Sequence, residues 1–205
     1  MQTTPANFGD WLNALLIQPW NHQDAVWYEQ IARSGYSVVD GRAAFHPLLP
    51  LLMRIVGAPL GHNYILAGLI VNDVACVSAL AVMLRFITLD YDSNTAFHAS
   101  TWLMYSPVGF IMLIPYTEAM TLAFILLAWW YARHNRWLAA GLWGCMATLT
   151  KQPALFLVIG LACEYLFIQR LKLWSRRTIQ VMLSLSLIPL GYLAFGLYRQ
   201  LMAPL

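Results

Sequence analysis

YILAGLIVNDVACVSALAVMLR, residues 64–85, decides the fold. From Tyr64 to Leu84 it runs without a basic residue, close to the ~20 apolar residues that the hydrocarbon core of a bilayer demands, and Arg85 closes it. Asn72 and Asp73 sit near its centre. An ionised Asp there costs ~2.5–3.5 kcal/mol on insertion scales, so the sequence predicts that Asp73 faces other helices, in an interhelical hydrogen bond or on an ion path.

Outward from this span the same character repeats. Residues 96–115 form a second apolar segment, interrupted at Ser106-Pro107, where a kink is expected. Residues 118–132 return and end in Trp129, Trp130, Tyr131, Arg133 and Arg136, an aromatic and basic cluster of the kind found at membrane boundaries. Residues 137–150 and 153–168 make a hairpin whose tip is Thr150-Lys151-Gln152-Pro153, and residues 178–198 follow a basic loop with Arg170, Lys172, Arg176 and Arg177. On the amino-terminal side, residues 46–56 read HPLLPLLMRIV. Eleven helical residues reach only ~16 Å, so this piece belongs in the interface, with Pro47 and Pro50 in its first turn.

The reading is an all-α, polytopic helical membrane protein with about six transmembrane helices. It is a single membrane domain over 1–205, with an extracytoplasmic, interfacial acidic loop region over 1–63 and transmembrane helices over 64–198. Composition agrees: 60% of residues are hydrophobic and 10% charged, against roughly a quarter charged in soluble domains. A net charge of +3, scattered, excludes a nucleic-acid partner. Cys76, Cys145 and Cys163 stand singly in apolar runs, without paired or metal-ligand spacing. The start, MQTTPANFGDWLNALLIQ, has neither the basic flank of a signal peptide nor the length of a span.

Alternating spans place Arg85, Arg133, Arg136, Arg170, Lys172, Arg176 and Arg177 on one side, and the basic excess assigns that side to the cytoplasm. Asp24, Glu118 and Lys151 then meet at the extracytoplasmic face. Asp24 lies in PWNHQDAVWYEQIARSGY, residues 19–36, between His22 and the aromatic pair Trp27 and Tyr28; an echo, AFHPLLPLLMR, occupies residues 44–54. A carboxylate can accept a hydroxyl proton in a transfer reaction, a lysine suits a phosphate leaving group, and the aromatic rings suit sugar stacking or interfacial anchoring. Together they suggest glycosyl transfer from a lipid-phosphate donor. Each also has a plainer role: Asp24 as a solvated loop acid, Glu118 as a favourable charge at a helix start, Lys151 as a hairpin cap. His22 and His46 lack ligand spacing, so no metal site and no cofactor are expected, with a divalent ion left open.

The run Asp24-Ala25-Val26-Trp27-Tyr28, then Ile31-Ala32 and Gly35-Tyr36, followed by Phe45-His46-Pro47-Leu48-Leu49-Pro50-Leu51, resembles the motif pair of the GPI mannosyltransferase 2 (PIG-V type) family and its bacterial relatives. Tyr116-Thr117-Glu118 and Thr150-Lys151-Gln152-Pro153 continue the likeness in order over most of residues 20–165. Gln23 stands where that family tends to have Trp before the acid, and His46 where it has a second aromatic. The resemblance implies a GT-C fold, Asp24 as catalytic base, and Lys151 near the donor phosphate. His22, Trp27, Tyr28, His46 and Glu118 become substrate-binding candidates around them. Implied partners are a polyprenyl-phosphate-linked sugar, usually mannose, a lipid or glycan acceptor, and membrane lipids. The expected location is a bacterial plasma membrane, or the endoplasmic reticulum membrane in a eukaryote. Because the family usually has a further helix before the acidic loop and more after the region of Tyr198, the chain is read as a shortened relative. Two rivals follow: a non-enzymatic subunit bound to a membrane-protein partner, and a transporter using a buried Asp73.

Overall fold

The computed structural model describes residues 7–37, 39–107, 109–168 and 175–202. Among them there are helices and no strand. Arg170 and Lys172, part of the expected basic loop, lie outside the described residues.

Helix α1 (Phe8–Leu12) leads through a π-helical stretch (Asn13–Ile17) and a 3₁₀ turn (Gln18–Trp20) to α2 (Asp24–Ser34). In α2, Ala25, Tyr28, Ile31 and Ala32 are buried at the i, i+3, i+6, i+7 spacing of one helical face, and Gly35 ends the helix with φ +81°. Helix α3 (Leu48–Gly57) starts after Pro47, as the two prolines predict, and buries Leu49 and Met53 completely against α4 (Tyr64–Ile87). The Asn63 side chain accepts from Leu66 N at 3.1 Å to cap α4.

Helix α5 (Ser93–Tyr105), capped by Asp92, stops at the expected interruption instead of kinking through it. Ser106 precedes Pro107 and is driven out of helical geometry, to ψ 153°. Between a 3₁₀ turn at Gly109–Met112 and Thr117 the chain is non-helical, which frees backbone carbonyls that apolar surroundings would leave unsatisfied. Asn72 of α4, fully buried, answers one of them: its Nδ2 donates to the Met112 carbonyl at 2.7 Å. The interhelical hydrogen bond expected of Asp73 is thus made by its neighbour. Asp73 itself is exposed, on the side of α4 that carries exposed Ile70, Val74 and Val77. One residue is a 100° rotation in a helix, and a segment apolar all round gives no phase from which to choose. The transport reading loses the buried acid on which it stood.

Helices α6 (Glu118–Arg133), α7 (Trp137–Thr150), α8 (Leu157–Ile168), α9 (Arg176–Leu185) and α10 (Leu187–Met202) form a second core around Ala128, Ala140, Leu161, Leu185 and Ile188. The expected continuous segment 178–198 is broken at Ser186, because Pro189 has no N–H for the Leu185 carbonyl. Thr148 of α7 donates to the Ile188 carbonyl next to the break, at 3.0 Å. The backbones of α7 and α9 touch here: a Cβ built on Gly141 would lie 1.9 Å from the Ser184 carbonyl oxygen. Such close approach by small residues is typical of helices packed without a water-driven force.

Among the described residues two stretches are long and apolar enough to cross a membrane, Tyr64–Ile87 and Arg176–Leu201; shorter apolar helices accompany them. The exterior is apolar too, with Val74, Val77, Trp102, Leu138 and Leu183 largely exposed. The ends of the bundle are fixed by contacts. Near one end, α4 begins against Pro115, next to which α6 begins; at the other, Arg133 at the end of α6 binds Asp90 just beyond α4, at 2.6 Å, and Glu164 of α8 at 3.3 Å.

Candidate active site

At the end of the bundle where α6 begins, three separate pieces of chain meet. His22, Gln23, Asp24 and Ala25 make a tight turn closed by Ala25 N donating to the His22 carbonyl at 3.1 Å. Gln23 occupies φ +48°, ψ −118°, the first central position of a type II′ turn, which favours glycine. A non-glycine residue there stores ~1–3 kcal/mol of strain. The turn delivers Asp24, exposed, as the first residue of α2, at the positive end of the helix dipole.

The other acid has the same placement. Glu118 is the first residue of α6, and its Oε1 lies 2.5 Å from Nζ of Lys151, which terminates α7 in an extended conformation. Hairpin geometry accounts for this. The tip Thr150-Lys151-Gln152-Pro153 turns where the sequence predicts, with residues 152–156 as a 3₁₀ turn before α8.

Two phenols join the acids. Tyr116 donates from its hydroxyl to the His22 carbonyl, 94 positions away, at 3.3 Å. Tyr28, 5% exposed, packs beside the Thr117 hydroxyl. Burial raises the pKa of both phenols above the ordinary value, and the charges of Asp24 and Glu118 raise both further. Both acids therefore act on the same two side chains. Asp24, Tyr28, Tyr116, Glu118 and Lys151 form one group, assembled from α2, the approach to α6, and the end of α7.

The remaining candidates divide. Trp27 stacks on Phe45 at 5.8 Å and Tyr28 meets the same ring edge-on at 5.2 Å, so both lean on the second motif. The His22 side chain is exposed, and the residue contributes its carbonyl. His46 follows Phe45 in extended backbone and turns the other way, onto Phe195 at 5.1 Å and Tyr192 at 6.2 Å of α10, beside the Thr148 carbonyl. Its Nδ1 is buried without a partner, and burial holds its pKa below the usual 6.5. Next to it, Ile31, Tyr36, Pro50, Arg54, Phe195 and Tyr198 line an open, mainly apolar cleft of about 410 Å³. Tyr192 and Phe195 have no sequence signal beyond aromaticity, whereas Tyr36 belongs to the Gly35-Tyr36 element of the first motif. Tyr116 was visible within Tyr-Thr-Glu, but its role requires the fold. Among the described residues no three His, Cys, Asp or Glu side chains gather into a metal-holding group.

Neither a curated protein nor a solved structure matches the chain significantly. The family model described as Mannosyltransferase (PIG-V) matches residues 2–201. With nearly the whole chain matched, the protein belongs to the PIG-V mannosyltransferase family, a family of membrane mannosyltransferases.

Proposed function

We propose that the chain transfers mannose from a polyprenyl-phosphate donor to an acceptor hydroxyl at the end of the bundle that holds Asp24, on the extracytoplasmic face. The acceptor O–H gives its proton to the Asp24 carboxylate as its oxygen bonds to the anomeric carbon. The bond from that carbon to the phosphate oxygen breaks, polyprenyl phosphate leaves, and the anomeric centre inverts. Lys151 stabilises the charge growing on the phosphate, and Glu118 keeps the ammonium in place. Trp27 and Tyr28 form the wall against the sugar, and the apolar cleft by Tyr36 and Tyr198 receives the first units of the polyprenyl chain, with Arg54 at its side.

The observation that carries this reading is that Tyr116, two residues before Glu118, hydrogen-bonds the His22 carbonyl in the turn that holds Asp24, while Glu118 is paired to Lys151. Base and phosphate-binding cation thereby belong to one group, as the reaction requires. We also assign six crossings of a GT-C-type bundle: α4, α5 with its irregular continuation, α6, α7, α8, and α9 with α10. End-to-end contacts such as Arg133 with Asp90 and Glu164 support that alternation.

The test is purified protein in vesicles, offered mannosyl-phospho-polyprenol or a mannose nucleotide together with an extract of candidate acceptor lipids. Transfer from the lipid donor alone, with inversion seen by NMR of the product, is expected. Transfer from the nucleotide alone, or with retention, refutes it. Exposed Asp73 on a long apolar helix favours one second reading, a non-enzymatic subunit whose partner covers that acid. Activity and stability of the isolated chain in detergent would exclude that as its main role.

A further inference from the structure

At the end of the bundle away from Asp24, the start of α7 and the first turns of α9 enclose an open cavity of about 680 Å³. Its polar rim carries Asn135, Arg136 and Arg177, and its floor is apolar, with Leu138, Val181 and Leu183. Two guanidiniums line it and no carboxylate does. The acids near this end, Asp90 and Glu164, are both engaged by Arg133.

The two arginines differ. Arg177 is oriented by a hydrogen bond to Asn135 Oδ1 at 3.0 Å, and Asn135 is itself held in the left-handed region at φ +58°. Arg136 is exposed, and its guanidinium has no ion-pair or hydrogen-bond partner among the described residues. It stands at the N-cap of α7 where no side chain caps the helix, so the first amides of α7 also present positive charge. Trp137 also lines the cavity; it is 7% exposed, its ring meets Tyr165 edge-on at 5.1 Å, and its indole N–H has no hydrogen-bond acceptor.

We infer that this cavity is a binding site for an anionic glycerophospholipid, with the phosphodiester held by Arg136 and Arg177 and an acyl chain lying on Leu138 and Leu183. A soluble anion would use the rim but has nothing to place on the floor. A neutral lipid would use the floor and leave two guanidiniums unanswered. A diester carrying net negative charge and hydrocarbon matches both parts. Leu138 and Leu183, 62% and 65% exposed, open the floor sideways, where lipid chains lie.

The experiment is native mass spectrometry of the purified full chain in neutral detergent, titrated with phosphatidylglycerol or phosphatidylcholine. Phosphatidylglycerol is expected to bind and phosphatidylcholine to bind much more weakly. Arg136→Gln with Arg177→Gln should weaken phosphatidylglycerol roughly thirtyfold, the effect of two surface guanidiniums. Arg85→Gln with Arg176→Gln removes the same charge from the same end and should leave binding within about twofold. Leu183→Trp keeps both arginines, fills the floor and should also weaken binding. Equal losses in the two double variants would mean general surface charge and overturn the site. So would unchanged binding in the Arg136/Arg177 variant, or displacement of the lipid by millimolar glycerol phosphate, which would mark a soluble-anion site.

Discussion

Replacing Lys151 by Met separates a catalytic cation from a structural one. The Lys151 and Glu118 side chains are 42% and 34% exposed, so solvent screens their pairing. Pairs of that exposure contribute ~0.2–1 kcal/mol to stability. A preorganised positive group facing a developing phosphate charge contributes far more to the transition state, ~3–4 kcal/mol, or ~10²–10³ in rate. Lys151→Met should therefore lower mannosyl transfer in vesicles by about a hundredfold or more, while denaturant unfolding of the same preparation changes by less than ~1 kcal/mol. Lys151→Arg keeps the charge on a larger, planar group and should retain part of the rate. The double variant Lys151→Met with Glu118→Gln decides between two explanations of a loss. If Lys151 serves only to neutralise Glu118, removing both restores transfer; if it serves the phosphate, the double variant stays inactive. Restored transfer, or a stability loss of several kcal/mol accompanying the rate loss, would refute the assignment.

Three further outcomes follow from the packing. Gly141→Ala places a methyl against the Ser184 carbonyl and must part α7 from α9, a destabilisation of about 2–4 kcal/mol, whereas Gly196→Ala meets nothing within 4 Å and should be neutral or stabilising by thermal unfolding. For His46, burial holds the folded pKa below 6.5, so the unfolded chain binds the proton first on acidification. Stability is then present above about pH 6.5 and falls as the pH drops below it, and His46→Phe should flatten that decline between about pH 7 and about pH 5. Gln23→Gly trades ~1–3 kcal/mol of turn strain for the smaller entropy cost of glycine and should raise stability by about 1 kcal/mol; a loss would mean that Gln23 is not strained.

The long apolar stretches were legible because membrane-length hydrophobicity survives any tertiary arrangement: Tyr64–Ile87 and Glu118–Arg133 fall within three residues of their expected ends. Phase was not legible. Asn72 and Asp73 exchange roles because α4 is apolar on every side, and only the orphaned Met112 carbonyl selects between them. Two irregularities were marked by proline but misjudged or overlooked, since Ser106-Pro107 ends a helix instead of bending it, and Pro189 breaks a segment read as continuous. For the candidate site, alternation of segments sufficed to bring Asp24, Glu118 and Lys151 to one end. Their actual linkage runs through Tyr116 and the His22 carbonyl, a contact across 94 positions that no local pattern encodes. His46, chosen as a companion of Asp24, packs on α10 because extended backbone sends it opposite to Phe45.

Asp24→Asn keeps size and turn geometry while removing the proton acceptor. Initial rates of transfer from mannosyl-phospho-polyprenol by the purified variant, with donor binding measured alongside, should fall by at least about a hundredfold at unchanged donor affinity. Transfer at the parent rate would contradict the role of Asp24 as base, and with it the reading of this end of the bundle as the active site.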